Sequence, residues 1–337
     1  MAPGHGAATA HPVLSELPVG ARVQDLLIVL DVEARGGDTP HIILTFGNAS
    51  GRLSSSPFWQ SERGRIAGVT KGNVVAVTGV VSSYRDRRQL VVDTLRVVPV
   101  TEVDWRLLLP SEGHVAGLWA QVDNSRAGLS RGRLARTVGL FYDDAGFRER
   151  YELCPASIGG HHARLGGLLR HTVEVAGIAR EIARHYDGSV NHDLVQAGAL
   201  LHDIGKLESY RWEGVFEMTV PGCVVGHVVL GALMLERRVR AADPMPCTEG
   251  ELLILQHLIL SHHGKLEFGA PVPPMTLEAE ILHYADNASA KADSMTGALT
   301  DSENFPGGAS LSTRGIWQLD RRRAWRATSD WGAAGGE

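Results

Sequence analysis

Between residues 20 and 100, short apolar and β-branched runs alternate with clusters of turn-forming residues. The pattern predicts strands over Val23–Val32, His41–Phe46, Arg52–Trp59, Asn73–Tyr84 and Gln89–Val97. Gly36-Gly37-Asp38, Gly47-Asn48, Lys71-Gly72-Asn73 and Arg85-Asp86 supply the turns between them. The polar stretch 60–68 reads as a short helix or a loop. From about Thr101 the apolar period becomes that of a helix. Helices are predicted over Asp104–Leu109, Gly113–Asn124, Arg131–Phe147, Leu168–Tyr186, Asp193–Lys206, Val225–Val239, Thr248–His263 and Leu277–Met295. Leu168, His171, Val175, Ile178 and Ile182 share one face of the fourth of these, and Thr248 with Glu251 forms a capping-box signature at the start of the seventh.

A multidomain α and β chain is expected. Residues 1–18 read as a disordered tail and residues 19–100 as a five-stranded OB-fold β-barrel, since that fold places a break between its third and fourth strands. Residues 101–318 read as an all-α domain, and 319–337 as a C-terminal tail. Hydrophobic residues at 44% and charged residues at 21% suit a folded chain, and no run approaches the roughly 20 apolar residues of a membrane span. The first 18 residues lack the basic start and apolar core of a secretory signal, so a cytoplasmic protein with no membrane partner is expected. Cys154, Cys223 and Cys247 are too widely spaced for a zinc ribbon or redox pair and read as reduced thiols. A net charge of −5 argues against coating duplex DNA by bulk electrostatics, so any nucleic acid would be gripped locally.

Histidine adds the chemistry. Of 15 histidines, the majority fall between His161 and His283, and histidine is the commonest metal ligand. His171, His202, Asp203, His227, His262 and Asp286 lie on or beside the apolar faces of their predicted helices. Several buried imidazoles and unpaired carboxylates are costly, and a divalent cation offsets that cost by pairing with all of them. Adjacent His202 and Asp203 at a helix end would let the carboxylate bridge two metals. Mixed imidazole and carboxylate ligands suit Mn, Fe or Zn better than Ca. A lone histidine on an apolar face is more often a satisfied core residue; His185, His192, His257 and His283 lack such placement and are read as solvated or as supporting groups. His161, His263 and Asn287 are candidates for supporting or substrate contacts.

The segments PASIGGHHARLGGLLRHTVEVA, AGALLHDIGKL, HLILSHHGKLEFGAPVPPMTLEAEILHYADNASAK and IWQLDRRRAWR resemble the YhaM-type 3′→5′ exoribonucleases, an OB-fold followed by an HD-type metal-dependent phosphohydrolase domain. VVAVTGVVSSYRDRRQLVV and SGRLSSSPFW are similar to that family's barrel. The resemblance spans roughly residues 20–326; the irregular ARGGDTPHIIL departs from the pattern. It implies removal of nucleoside 5′-monophosphates from the 3′ end of single-stranded RNA or DNA, with RNA preferred, by two divalent ions, Mn foremost and Fe, Mg, Ni or Zn as alternatives. On this resemblance His171, His202, Asp203 and Asp286 hold one ion, and Asp203, His227 and His262 the other. Asp203, Lys206 and His162 would be catalytic, with Lys206 meeting a phosphate oxygen. Phe46, Trp59 and Tyr84 would stack bases, and Arg85, Arg87 and Arg88 would take phosphates. Homo-oligomers are expected. The rival readings are an HD-type nucleotidase or cyclic-nucleotide phosphodiesterase and a non-catalytic single-strand-binding protein.

Overall fold

The computed structural model describes residues 13–327 apart from Ser15, Asp38, Asp86 and Arg131. The remainder of the two expected tails, 1–12 and 328–337, lies outside the described residues. The chain divides into two units. One comprises residues up to Ser111 together with Trp212–Glu217; the other comprises Glu112–Arg211 and residues from Met218 onward. The division falls at 111/112 rather than at the expected 100/101, and the 212–217 insertion carries no sequence signal that foretold it.

The N-terminal unit contains β1 (Arg22–Arg35), β2 (His41–Asn48), β3 (Gly51–Ser54), β4 (Phe58–Trp59), β5 (Val74–Tyr84) and β6 (Arg87–Val98). They form one antiparallel sheet in the order β3-β2-β1-β5-β6, with β4 also paired to β2. The stretch expected as a single third strand splits in two. Pro57 interrupts it, because proline brings no backbone N–H to a ladder. At the split Ser55 forms a parallel bridge to Leu90, and the Ser56 N–H donates to the Leu90 carbonyl at 2.8 Å. The sheet therefore curls from β3 towards β6 without a continuous closing ladder, an OB-like arrangement. Gln60–Ile66 is a short 3-10 helix. Alternating inward residues of the strands, including Leu27, Val29, Leu44, Phe46, Val75, Val77 and Leu90, make the core.

Leu14 is fully buried in this same core, its N–H donating to Ser50 Oγ at 2.9 Å. Ordered structure thus begins before residue 19, correcting the tail assigned to 1–18.

The second unit carries α1 (Val115–Ala127), α2 (Arg133–Tyr142), α3 (Ala145–Leu153), α4 (Gly167–Ala183), α5 (His192–Leu201), α6 (Lys206–Ser209), α7 (Val220–Val224), α8 (His227–Ala241), α9 (Glu249–Ser261) and α10 (Leu277–Thr300). Tyr210–Arg211 and Glu217–Met218 are the short strands β7 and β8. The helix predicted over Arg131–Phe147 breaks because Asp144 caps a new one, accepting from the Gly146 and Phe147 N–H groups at 2.9 and 3.2 Å. The helix predicted over Asp193–Lys206 stops at Leu201, and residues 202–205 turn before α6.

Helices α4, α5 and α10 pack together at the centre, and α9 joins α5 and α10. After α10 the chain folds back. Leu319 and Ala324 are buried with Ala298 and Phe305, and the Ser312 N–H donates to the Ala324 carbonyl at 2.8 Å. Residues 319–327 are therefore part of the helical unit, which corrects the boundary drawn at 318.

Candidate metal centre

The turn between α5 and α6 builds the centre. Gly205 sits so close to the start of α8 that a Cβ there would lie 2.0 Å from the His227 carbonyl oxygen and 2.4 Å from the Gly231 nitrogen. Only glycine permits that approach, which brings His227 over Asp203. A second glycine does the same on the other side. At Gly167 a Cβ would meet the His162 carbonyl at 1.9 Å, so the start of α4 and the His161–His162 loop are held in contact.

The side chains converge in two groups. His171 Nε2 lies 3.0 Å from Asp286 Oδ1 and 3.5 Å from Asp203 Oδ2. His202 Nε2 lies 3.2 Å from Asp203 Oδ2, 3.4 Å from His171 Nε2 and 3.9 Å from Asp286 Oδ1. The other oxygen of Asp203, Oδ1, faces His227 Nε2 at 3.5 Å and His262 Nε2 at 3.7 Å. His263 joins this second group. One carboxylate thus offers one oxygen to each cluster.

Hydrogen bonds on the far side of the rings set the tautomers. His202 Nδ1 donates to the Ala199 carbonyl at 2.8 Å, His262 Nδ1 to Ile259 at 2.6 Å and His263 Nδ1 to Phe268 at 2.7 Å. Ser289 Oγ donates to Glu174 Oε2 at 2.8 Å, which leaves it to accept from His171 Nδ1 at 2.9 Å. Each of these imidazoles therefore turns an Nε2 lone pair inward. Lone pairs facing carboxylate oxygens at such distances repel unless a cation lies among them or a ring takes a second proton. Asp203 Oδ1, His227 Nε2 and His262 Nε2 are moreover buried without a hydrogen-bond partner among the described residues. Orphaned acceptors that share a focus fit a divalent metal ion.

The electrostatics agree. Burial pushes His227 down to about 3 and His262 well below the ordinary imidazole value, so both are neutral ligands at neutral pH. Burial also lowers His171, against the pull of Asp286. His202 differs. Burial opposes its charge, yet Asp203 and Asp286 together raise it. Burial alone would raise the two carboxyls. Lys206 and His202 hold Asp203 well below the usual range, and His171 does the same for Asp286.

Lys206 is buried, with Nζ 2.5 Å from Asp203 Oδ2; its charge faces that carboxylate rather than an open phosphate position. His162, expected to be catalytic, is buried with both ring nitrogens occupied. Nε2 meets Glu174 at 3.0 Å, and Nδ1 accepts from Arg164 at 3.0 Å. The neighbouring His161 has its ring 4.9 Å from that of His171 and a buried Nε2 without a hydrogen-bond partner among the described residues, so it is the better placed of the two to meet a reacting group. Asn287 is exposed, turned one residue round the helix from Asp286.

In the N-terminal unit Phe46 is fully buried in the core and cannot stack a base. Trp59 and Tyr84 are 44% and 59% exposed, and Arg85 lies over the Tyr84 ring. Arg87 is exposed, whereas Arg88 donates to the Leu17 carbonyl at 3.0 Å and so helps to hold the N-terminal segment.

A supporting network was not foreseen. Glu174 receives Ser289 and His162, and Asp293 receives the His162 N–H at 2.7 Å and Arg164 at 3.1 Å. Glu112, partly buried, receives Arg164 and Arg170. Glu174 stands three residues after His171, and Ser289 three after Asp286; helical spacing from an anticipated ligand was the available signal.

A helical unit with paired His and Asp donors around one shared carboxylate is the arrangement of an HD-type hydrolase, and the HD domain family matches residues 168–291, which include each of the six anticipated ligands. The chain is 30% identical over 322 residues to the 3′-5′ exoribonuclease YhaM of Bacillus pumilus (strain SAFR-032), covering 92% of this chain and 96% of that one. It is 33% identical to the protein of that name from Bacillus subtilis (strain 168), covering 77% and 81%, and 31% identical to that from Bacillus licheniformis, covering 83% and 88%. The chain belongs to the YhaM family of HD-domain phosphodiester hydrolases.

Proposed function

We propose that the chain is a metal-dependent 3′→5′ exonuclease that shortens single-stranded RNA and releases nucleoside 5′-monophosphates, using two divalent ions with Mn foremost. The observation that carries this reading is Asp203, whose two oxygens serve two separate nitrogen clusters. His171, His202, Asp203 and Asp286 would hold one ion, and Asp203, His227, His262 and His263 the other. Ions so placed supply Lewis-acid polarisation of a phosphodiester and a nucleophile at neutral pH. The protein's own groups prepare the reaction. Asp203 and Asp286 stay ionised because of the cations around them. The Nδ1 hydrogen bonds fix the rings so that no reorganisation accompanies the reaction. Burial keeps His161 neutral, and its Nε2, which has no hydrogen-bond partner among the described residues, would serve a substrate oxygen. Exposed Trp59 and Tyr84 in the N-terminal unit suit stacking of bases, which favours a polymer over a free nucleotide.

The test is digestion of matched 5′-labelled RNA and DNA strands with Mn and with Mg, with products resolved by length. Stepwise shortening of RNA supports the reading. Turnover of mononucleotides or cyclic nucleotides with intact oligonucleotides would refute it.

A further inference from the structure

A cavity of about 350 Å³ lies within the helical unit, along the C-terminal half of α10 from Asp293 onward. Its wall on one side is Gly160, the residue before His161, and Asp293 of α10. On the other side stand Arg314, Trp317 and Gln318 of the segment that folds back after α10. Two contacts fix that segment. Gln318 Nε2 donates to the Gly159 carbonyl at 3.1 Å, and Lys291 Nζ donates to the Gln318 carbonyl at 3.0 Å and to Asp320 at 2.8 Å. The cavity is thus framed by the loop that carries His161 and by the helix that carries Asp286. Asp286 and Asp293 are two helical turns apart, about 10 Å.

The lining has the chemistry of a nucleotide subsite. Trp317 is 76% exposed although its neighbours Leu319 and Ala324 are buried, so the ring is presented by an anchored backbone. An indole displayed in this way stacks on any base. Arg314, exposed at the same rim, offers a guanidinium to a phosphate. Of the two carboxylates in the wall, Asp293 is neutralised by a cation, while Asp301 keeps its charge at the end of α10. Asp293 is ion-paired with Arg164 at 3.1 Å and holds the His162 N–H, and Asp301 accepts from the Glu303 N–H at 2.9 Å. The cavity's size is at the lower end of those that hold small ligands, enough for one nucleotide unit.

We propose that this cavity binds a nucleotide of the single-stranded substrate away from the linkage being cleaved, with its base on Trp317 and its phosphate on Arg314. The proposal rests on the nuclease reading above and adds a second grip on the strand, within the helical unit itself.

The test uses the metal-loaded full chain and an oligoribonucleotide whose terminal linkages are phosphorothioates, titrated by fluorescence anisotropy over a range of salt. Trp317→Ala should weaken binding by about 5- to 150-fold, the worth of one base stacked on an aromatic, with an unchanged salt slope. Trp317→Phe should restore most of the affinity. Arg314→Gln should lower the slope of log K against log salt by about 0.7, the share of one phosphate on a single strand. Melting temperatures of the variants should match the parent, since both side chains are exposed. If the parent shortens RNA and both Trp317→Ala and Arg314→Gln bind within twofold of it, the subsite is overturned while the nuclease reading stands. If the parent neither binds nor shortens RNA, the underlying reading fails and the subsite with it.

Discussion

Asp203→Asn separates two roles that one carboxylate performs. Asp203 is nearly fully buried, shared between two groups of imidazoles, and paired with buried Lys206 at 2.5 Å. Asparagine preserves its shape and removes its charge. Lys206 then keeps a buried ammonium with Asp286 as its remaining acidic neighbour. Breaking a buried pair by removing one partner costs about 3–5 kcal/mol, a large part of an ordinary domain's stability. The metal-free variant should therefore unfold at a clearly lower denaturant concentration. A second substitution, Lys206→Met, removes the stranded charge and keeps the aliphatic stem. The double variant should recover most of the lost stability, since replacing both members of a buried pair by neutral groups is close to neutral. It should not recover function. Both clusters still lack their shared ligand, and a loss of at least about 10³-fold in kcat/KM is expected, equivalent to the several kcal/mol that metal activation supplies. Urea titration of the metal-free forms, metal content after dialysis, and RNA turnover give the three readouts. If the double variant binds metal and turns over like the parent, Asp203 is merely the counter-ion of Lys206 and the bridging role is wrong.

Ser289→Ala or Glu174→Gln should weaken metal affinity about 10- to 100-fold by loosening the His171 ring, with little change in melting temperature; a competition titration with a chelating dye reads the loss. Gly205→Ala should destabilise by at least about 1–3 kcal/mol, because the added methyl group meets backbone on α8 rather than a movable side chain, and thermal unfolding measures it. Metal affinity should rise with pH until His202 has titrated and then level off: burial opposes its charge but the neighbouring carboxylates raise it, so below that point a cation must displace a proton from it, while His227, pushed down to about 3, is already neutral and adds nothing. Calorimetric titrations in buffers of different ionisation enthalpy count the protons released, and a release that stays at zero as the pH is lowered from 8 to 6 would contradict the assignment to His202.

How far the sequence carried depends on whether a residue was out of place for its surroundings. Histidines and acids on apolar helix faces are anomalous in the string itself, and the six so marked converge in three dimensions. Their supports were hidden for different reasons. The acceptors that orient His202 and His262 are backbone carbonyls of Ala199 and Ile259, which any residue type would provide. Ser289 and Glu174 are ordinary helix residues until their partners are known, although their spacing from Asp286 and His171 was readable. His161 and His162 are adjacent and chemically identical, so the string could not rank them. The distinction comes from Glu174 and Arg164, which occupy one ring and leave the other. In the sheet, Phe46 was grouped with Trp59 and Tyr84 by residue type, yet its parity with Leu44 on β2 already pointed it inward. The last segment reads as a tail because Leu319 and Ala324 are sparse among charged neighbours. A short irregular stretch lacks the periodicity that reveals a buried face, and its burial depends on Ala298 and Phe305, which meet it only once the chain has turned back after α10.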